Sequence, residues 1–218
     1  MRNRVCHNLI VTLMLLCFTG HFFTPGRCSG AGSYVAASNK KASEYEIKAV
    51  YLYNFLLFAS WPESDDDDDG DVGDLCIGIV GNDPFGDSFS EIEGKVIKSL
   101  NKKLVIERYG SYKEGLGIEG CKLLFVCSSE KGKLIEIVKE LKGSRTLTIA
   151  DVDGFLKYGG MINLVKVKKK IRWEINRTPL NKANIQLSSQ LFRSAVKIVE
   201  IPKLSAEDKN KDIARRTR

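Results

Sequence analysis

Residues 147–176 form the segment most informative about the fold, which reads L-T-I-A-D-V-D-G-F-L-K-Y-G-G-M-I-N-L-V-K-V-K-K-K-I-R-W-E-I-N. Its first part closes an apolar strand, residues 146–150, which is followed by an aspartate-glycine turn and a double glycine. Residues 161–167 and 171–175 then alternate apolar with charged side chains, as the two strands of an antiparallel hairpin do. Residues 168–170, all lysine, make the turn. Such lysines either contact phosphate or protect an exposed strand edge, and we favour edge protection.

The segments on either side of this stretch predict alternating strands and helices. Strands are predicted at residues 75–80, 103–107 and 122–127, and amphipathic helices at residues 131–141 and 190–201. Ser128 or Ser129 can cap the first of these helices, and Ser188 or Ser189 the second. The strand at 122–127 lacks polar alternation, which is typical of a central strand covered on both faces. We predict the α/β fold class: a single three-layer domain with a central, mostly parallel sheet and an antiparallel hairpin, flanked by helices.

A helix is also predicted over residues 44–61, where Ser43 can cap the first turn and Glu46 completes a capping box. Pro62 ends this helix, because the residue before a proline is driven out of the helical conformation. The helix is apolar nearly all round, whereas a helix on the surface of a domain needs only one apolar stripe. Two interpretations stay open: a core helix whose tyrosine hydroxyls reach the surface, or a helix that partly meets another chain.

The ends of the chain carry most of its positive charge. The whole chain has a formal net charge of +7, residues 1–31 hold three arginines and no acid, and residues 202–218 hold six basic and three acidic residues. The part between them is therefore near +1. A nucleic-acid partner is not predicted, because proteins that bind nucleic acid carry a strongly basic face.

The beginning of the chain has the pattern of a secretion signal. Arg2 and Arg4 precede an apolar run at residues 9–18, and small residues follow near position 30. A retained anchor is the alternative, but the run is shorter than the roughly 20 residues that span a bilayer. The predicted organisation is a signal peptide at 1–31, a linker at 32–43, the α/β domain at 44–201 and a disordered basic tail at 202–218.

Histidine is absent after the predicted cleavage site, since His7 and His21 both lie before it. Nucleophiles activated by histidine and metal sites with histidine ligands are therefore excluded.

Asp151 and Asp153 follow the strand at 146–150, at the strand end where ligands bind in open α/β sheets. The sequence places no histidine, cysteine or lysine beside them, so we interpret them as turn-forming and capping residues. We predict a protein that is not an enzyme and has no cofactor.

Two loops give weaker hints of ligands. Residues 65–69 are five aspartates, whose oxygens calcium favours, but they lack the spacing of a calcium-binding loop. We interpret them as a solvated insertion and predict no metal site. Residues 81–86, G-N-D-P-F-G, could present backbone N–H groups to an anion, although no Lys-Ser/Thr pair follows as in a Walker loop. Helix capping by Asn82 or Asp83 is the interpretation that we favour.

Three cysteines lie in the predicted domain, at Cys76, Cys121 and Cys127. Cys76 and Cys121 each open a predicted strand, so parallel pairing would bring them within the about 4.4–6.8 Å between Cα atoms that a disulfide requires. Cys121 and Cys127 lie on one strand, roughly 20 Å apart, and cannot pair. We therefore predict a Cys76–Cys121 disulfide, worth about 4 kcal/mol on the chain-entropy model, and a buried free thiol at Cys127.

Four blocks of the sequence together resemble the YfiR family of small secreted bacterial proteins. They are the stretch at 147–176, K-A-V-Y-L-Y-N-F-L-L-F-A-S-W-P at 48–62, G-N-D-P-F-G at 81–86 and G-C-K-L-L-F-V at 120–126. The resemblance implies a compact α/β domain in the periplasm that restrains a membrane-bound diguanylate cyclase by direct contact. It also implies that relatives act beside membrane histidine kinases and that some members form dimers.

The resemblance further implies roles for particular residues. The disulfide that matches Cys76–Cys121 recurs in members, and partner contact is implied at Glu174, at Leu180 and on the surface around them. A second disulfide that some members carry later in the chain has no counterpart here. The aspartate run and the long basic tail are also departures from the family.

The leading hypothesis is a periplasmic, non-enzymatic regulator that binds and restrains a membrane signalling protein, either a diguanylate cyclase or a sensor kinase. The alternative is a periplasmic small-ligand sensor domain that serves a histidine kinase or an export system. We expect the helix at 44–61, through Tyr51 and Tyr53, and the strand ending at Glu174 to contribute to a binding surface. That surface would bind the partner or a second copy of the chain in a homodimer.

Overall fold

The structure, a computed structural model, describes residues 42–61 and 74–200. The predicted signal peptide, the basic tail, the aspartate run at residues 65–69 and nearly all of the predicted linker lie outside the described residues. In the described ranges, no helix has the length and apolar character that crossing a membrane would demand.

The described chain contains short helices and ten strands. The α-helices are α1 (Glu44–Phe58), α2 (Leu134–Glu140), α3 (Arg177–Lys182) and α4 (Ser189–Ser194). The strands are β1 (Ala59–Ser60), β2 (Leu75–Val80), β3 (Val96–Ile97), β4 (Lys102–Gly110), β5 (Leu123–Val126), β6 (Leu147–Ala150), β7 (Ile162–Val167), β8 (Lys170–Asn176), β9 (Gln186–Leu187) and β10 (Lys197–Val199). Short 3-10 helices occupy Gly86–Phe89, Ile118–Gly120, Ser128–Lys133 and Phe155–Tyr158.

One sheet organises the domain, with eight strands in the order β10-β8-β7-β6-β5-β2-β4-β3. Its neighbours run parallel except in the pairs β7–β8 and β3–β4, which are antiparallel. Strands β1 and β9 form a separate antiparallel pair. The predicted α/β architecture, a mostly parallel sheet with an antiparallel hairpin and flanking helices, is confirmed.

Helices cover both faces of the sheet. On one face, which we call the α1 side, Leu52 and Phe55 of α1 share a buried apolar cluster with Trp173 of β8 and with side chains of α3 and α4. On the other face, the α2 side, Leu134 of α2 packs in a second cluster with Leu124 of β5. All four residues of β5 are buried, which confirms the predicted central position of this strand.

Local geometry requires the double glycine at residues 159 and 160. Gly159 has a φ of +101°, in the left-handed region that side chains disfavour. A Cβ atom on Gly160 would overlap the ring of Phe155, which is fully buried. The two glycines therefore let the chain turn tightly against Phe155 and enter β7.

The hairpin β7–β8 extends past both of its neighbours. β7 pairs with β6 only at Ile162 and Asn163, and β8 pairs with β10 only over its last three residues. Lys168 and Lys169 form the turn, with φ of 46° and 66°. Among residues 42–61 and 74–200, the lysine-rich half of the hairpin thus has strand edges without a paired neighbour, in agreement with edge protection.

Two of the predicted helices are shorter than expected. The helix predicted over residues 44–61 ends at Phe58, because the next two residues form β1. The helix predicted over 131–141 is α-helical only from Leu134 to Glu140. Ser129 does not cap it, because its Oγ accepts a hydrogen bond from the backbone N of Asn82 at 2.9 Å.

The helix predicted over residues 190–201 is wrong beyond its first turns. α4 ends at Ser194 and the chain then forms β10, which pairs in parallel with β8. Val196, whose spacing predicts an inward position, is 47% exposed, and its backbone N donates to the carbonyl oxygen of Trp173 at 2.9 Å.

Candidate partner-binding surface

Helix α1 begins where the sequence predicts. Ser43 Oγ accepts a hydrogen bond from the backbone N of Glu46 at 3.1 Å, and Glu46 accepts one from the backbone N of Ser43 at 2.6 Å. This reciprocal pair is the predicted capping box, and it fixes the direction in which the helix leaves its first turn.

The inner side of α1 is a regular stripe that faces the sheet. Its buried residues recur at helical spacing and are Lys48, Ala49, Leu52, Phe55 and Leu56. The ring of Phe55 meets the ring of Trp173 edge-on at 5.4 Å between centroids. We call these five residues the inner stripe.

The opposite side of α1 is also apolar but is only partly covered, since Ile47, Tyr53 and Leu57 are half-buried against the same core. At helical spacing it carries Ile47, Val50, Tyr53, Asn54, Leu57 and Phe58, which we call the outer stripe. Val50 is 40% and Phe58 is 41% exposed. None of the six is charged, and Asn54 Oδ1 has no hydrogen-bond partner among the described residues although it is shielded from solvent. An apolar helix face of this kind is typical of an interaction site.

The two tyrosines singled out from the sequence have different environments. Tyr51 lies at the border of the stripes, where its ring contacts Trp173 edge-on at 5.3 Å and its hydroxyl donates to the carbonyl oxygen of Ile171 at 3.4 Å. Tyr53 belongs to the outer stripe and is half-buried, and this burial raises the pKa of its phenol. In residues 42–61 and 74–200 the Tyr53 hydroxyl has no hydrogen-bond partner. Tyr51 is thus part of the packing, and Tyr53 is the better placed of the two for a partner.

Glu174 lies on the other face of the sheet from Tyr51. Side chains alternate along a strand, so Trp173 points to the α1 side and Glu174 to the α2 side. Glu174 pairs across the sheet with Asn163 of β7 and Lys197 of β10, and it is half-buried. The structure therefore does not bring the tyrosines and Glu174 together on one face, as the combined surface expected from the sequence requires.

Leu180 is 2% exposed and belongs to the core on the α1 side. Its side chain offers no surface to a partner in this conformation. Partner contact on the surface around Leu180 stays a prediction.

A buried ion pair anchors the first turns of α1 to the end of β6. Lys48 Nζ lies 2.6 Å from Asp151 Oδ2 and 2.7 Å from Glu44 Oε1, and the Lys48 and Asp151 side chains are only 5% and 7% exposed. The Tyr45 hydroxyl donates to the same Asp151 oxygen at 3.1 Å. Glu44 also pairs with Lys166 of the hairpin at 2.9 Å. This network joins the helix, the sheet and the hairpin.

The charge state of Lys48 fits anchoring better than acid–base chemistry. Burial works to lower the pKa of Lys48, but the hydrogen bonds to Asp151 and Glu44 outweigh it and the net pKa is raised. A lysine held protonated between two carboxylates cannot accept a proton. No local pattern indicated this pair, because its members are 103 residues apart in the sequence.

The three domain cysteines lie as predicted. Cys76 and Cys121 form a disulfide with their Cα atoms 4.7 Å apart, beside the parallel pair β2–β5. Cys127 is a buried free thiol. Burial, with a further contribution from Asp83, Asp151 and Glu130, raises the pKa of Cys127 to about 12, so the thiol stays protonated and unreactive.

Comparison with known families matches residues 45–196 to a family described as YfiR/HmsC-like. No curated protein matches the chain. The matched region contains both stripes of α1, the ion pair and the disulfide.

Two solved structures show a weak overall likeness. A conserved domain protein from Vibrio cholerae is 12% identical with a TM-score of 0.49, and the match covers 72% of this chain and 60% of that one. The ABC domain in complex with L-Trp from Streptococcus pneumoniae is 10% identical with a TM-score of 0.42, and the match covers 57% and 55%. The chain thus matches less than two thirds of the length of either protein, and at these scores the likeness carries no conclusion about function.

Proposed function

Because the chain belongs to the YfiR/HmsC-like family of regulatory periplasmic proteins, we propose that it is a non-enzymatic regulator which binds and restrains a membrane signalling protein. The partner is a diguanylate cyclase or a sensor kinase, and contact takes place in the periplasm after the signal peptide is removed. The observation that carries the proposal is the outer stripe of α1.

The outer stripe has the composition of an interface core. Such cores are depleted in charged side chains and enriched in aromatic ones, and the stripe has no charge between Ile47 and Phe58 while offering Tyr53 and Phe58.

The stripe is also held rigidly, which reduces the entropy that binding costs. The capping box fixes the start of α1, the Lys48–Asp151 pair fixes its first turns, and Phe55 against Trp173 fixes its middle. A regulator that acts by contact alone benefits from a surface that is already ordered before its partner arrives.

Site-directed photo-crosslinking tests the proposal. A photoreactive residue is placed at Val50 or Phe58 of the outer stripe, and at Ile135 of α2 as a matched control, since Ile135 is apolar and 39% exposed. Envelope membranes are irradiated and the products are identified by mass spectrometry. We expect an integral membrane signalling protein to be captured from Val50 and Phe58 but not from Ile135.

A functional readout accompanies the capture. Val50→Asp should raise the output of the captured protein, measured as cyclic-di-GMP for a cyclase or as autophosphorylation for a kinase, whereas Ile135→Asp should not. Capture of only a second copy of the chain would identify the stripe as a dimer interface instead. Equal capture from all three positions, or unchanged output in Val50→Asp with normal protein levels, would reject the proposal.

A further inference from the structure

Three neighbouring strands bring two sulfur atoms and two polar groups together on the α2 side of the sheet. Cys76 lies on β2, Cys121 lies two residues before β5, and Glu107 and Tyr109 lie on β4. Since β2 lies between β5 and β4, the four side chains converge above its centre, at Gly78.

The groups are close enough to act on one ion. Glu107 Oε2 lies 3.7 Å from Cys76 Sγ and 3.5 Å from Cys121 Sγ. The sulfur and carboxylate ligand atoms all lie within 4.8 Å of one another. The Tyr109 hydroxyl donates to the same Glu107 oxygen at 2.6 Å, which orients the carboxylate toward the sulfurs.

Gly78 makes this convergence possible. A Cβ atom at this position would lie 2.9 Å from the Tyr109 ring and 3.3 Å from Cys121 Sγ. Only glycine lets the ring and the sulfur approach the strand this closely.

The cluster is open on one side. Cys121 is buried and Cys76 is half-buried, but Glu107 is exposed. An ion can therefore reach the sulfurs along the Glu107 carboxylate.

We propose that reduction of the Cys76–Cys121 disulfide turns this cluster into a binding site for a soft divalent cation such as Zn²⁺, held by both thiolates and by the carboxylate of Glu107. Two thiolates with one carboxylate are a ligand set that zinc accepts, and three protein ligands leave a fourth position for water. Tyr109 is a positioning residue.

The chemistry balances with a dithiol as reductant. The dithiol gives two electrons to the S–S bond and becomes a disulfide itself, while Cys76 and Cys121 become thiols. Binding of the cation then releases two protons, since thiolates are the ligands. For tetrahedral coordination at about 2.3 Å the sulfurs separate to roughly 3.8 Å. While the disulfide is intact its sulfurs cannot serve as thiolates, so the site exists only in the reduced protein.

Metal titration of the purified chain tests this proposal. The protein is reduced with a dithiol without oxygen, the reductant is removed, and Co²⁺ is added as a spectroscopic probe before competition with Zn²⁺. We expect one ion per reduced chain, a thiolate-to-cobalt charge-transfer band and the release of two protons. The oxidised chain should bind no ion at this site.

Variants separate the proposed ligands from nearby groups. Cys76→Ser and Cys121→Ser should each abolish the charge-transfer band of a two-thiolate site, and Glu107→Gln should weaken binding at least tenfold. Glu119→Gln is the matched control, because Glu119 is near enough to influence the Tyr109 phenol but lies outside the ligand set. Cys127→Ala should bind like the parent, since its thiol is buried elsewhere.

The result that overturns the proposal is a folded, reduced chain that binds no stoichiometric ion, or one in which Glu107→Gln binds as tightly as the parent. If reduction unfolds the chain, one equivalent of Zn²⁺ must restore the native circular dichroism spectrum. Failure to restore it also rejects the site.

Discussion

The two stripes of α1 differ from each other in a way that is unusual for a surface helix. The inner stripe holds the buried charged residue, Lys48, while the outer stripe, with Val50 and Phe58 exposed, holds no charge at all. Surface helices ordinarily bury apolar side chains and show charged ones to water. The inner stripe can hold a lysine only because Asp151 and Glu44 pair with it. Apolar character alone therefore does not tell which side of a helix packs into the core.

The largest effect on the free energy of unfolding should come from replacing the phenylalanine of the inner stripe, with the phenylalanine of the outer stripe as the comparison. Phe55→Ala on the inner stripe should destabilise the domain by about 3–5 kcal/mol, because Phe55 is 1% exposed and packs on Trp173. Phe58→Ala on the outer stripe should cost less than about 1 kcal/mol. Urea unfolding measured by circular dichroism gives both values. Similar losses of stability in the two variants would show that both stripes belong to the core.

Removing the cation of the buried ion pair should have the next largest effect on the free energy of unfolding. Lys48→Met leaves the Asp151 carboxylate buried without its cation, so we expect a loss of about 3 kcal/mol. The double variant Lys48→Met/Asp151→Leu should recover most of that loss, because no uncompensated charge remains. Denaturant midpoints of the single and double variants measure this coupling. A double variant no more stable than Lys48→Met would show that the pair contributes more than charge compensation.

The two tyrosines should separate packing from binding. Tyr51→Asp should destabilise by about 2 kcal/mol because it removes the contact with Trp173. Tyr53→Asp should stay folded, with a loss below about 1 kcal/mol, but lose association with the partner or with a second copy. Thermal melting and crosslinking are measured on the same preparations. If both variants unfold, or both stay folded and fully associated, the outer stripe is not an interface.

The smallest effect should be a pH dependence of the stability that Glu44 contributes. Hydrogen bonds from Lys48 and Lys166 hold the pKa of Glu44 below its ordinary value of 4.5. The carboxylate therefore stabilises the folded state above pH 4.5, and this contribution is lost as the pH falls below that value. Glu44→Gln should lower stability at pH 7 by less than about 1 kcal/mol. The difference from the parent should shrink in unfolding curves taken at progressively lower pH. A difference that stays constant down to pH 3 would contradict this assignment.

Local signals in the sequence were enough for the start of α1 and for the central strands. The capping box needs only Ser43 and Glu46, three positions apart, and it forms as predicted. The uninterrupted apolar run of β5 likewise identified a central strand. These features depend on neighbours in sequence, so the sequence alone could reveal them.

Features that depend on distant residues were missed. The spacing of Leu191, Ala195 and Val199 suits a helix, but β10 forms because the edge of β8 offers hydrogen bonds that a helix would forgo. Lys48 is adjacent to Asp151 only after α1 crosses the sheet. The opposite directions of Tyr51 and Glu174 likewise follow from which face of β8 the helix covers. No local pattern specifies that choice.

The position of α1 has a consequence for how the protein is made. Among the described elements, α1 is synthesised first, yet it packs on Trp173, and the backbone N of Ser188 donates to its Phe58 carbonyl oxygen at 2.9 Å. Translation at about 5–20 residues per second leaves the helix without these contacts for roughly 7–26 s. The apolar helix α1 must therefore be kept from aggregating while the rest of the chain is synthesised. The domain can complete its packing only after its last strands have been made.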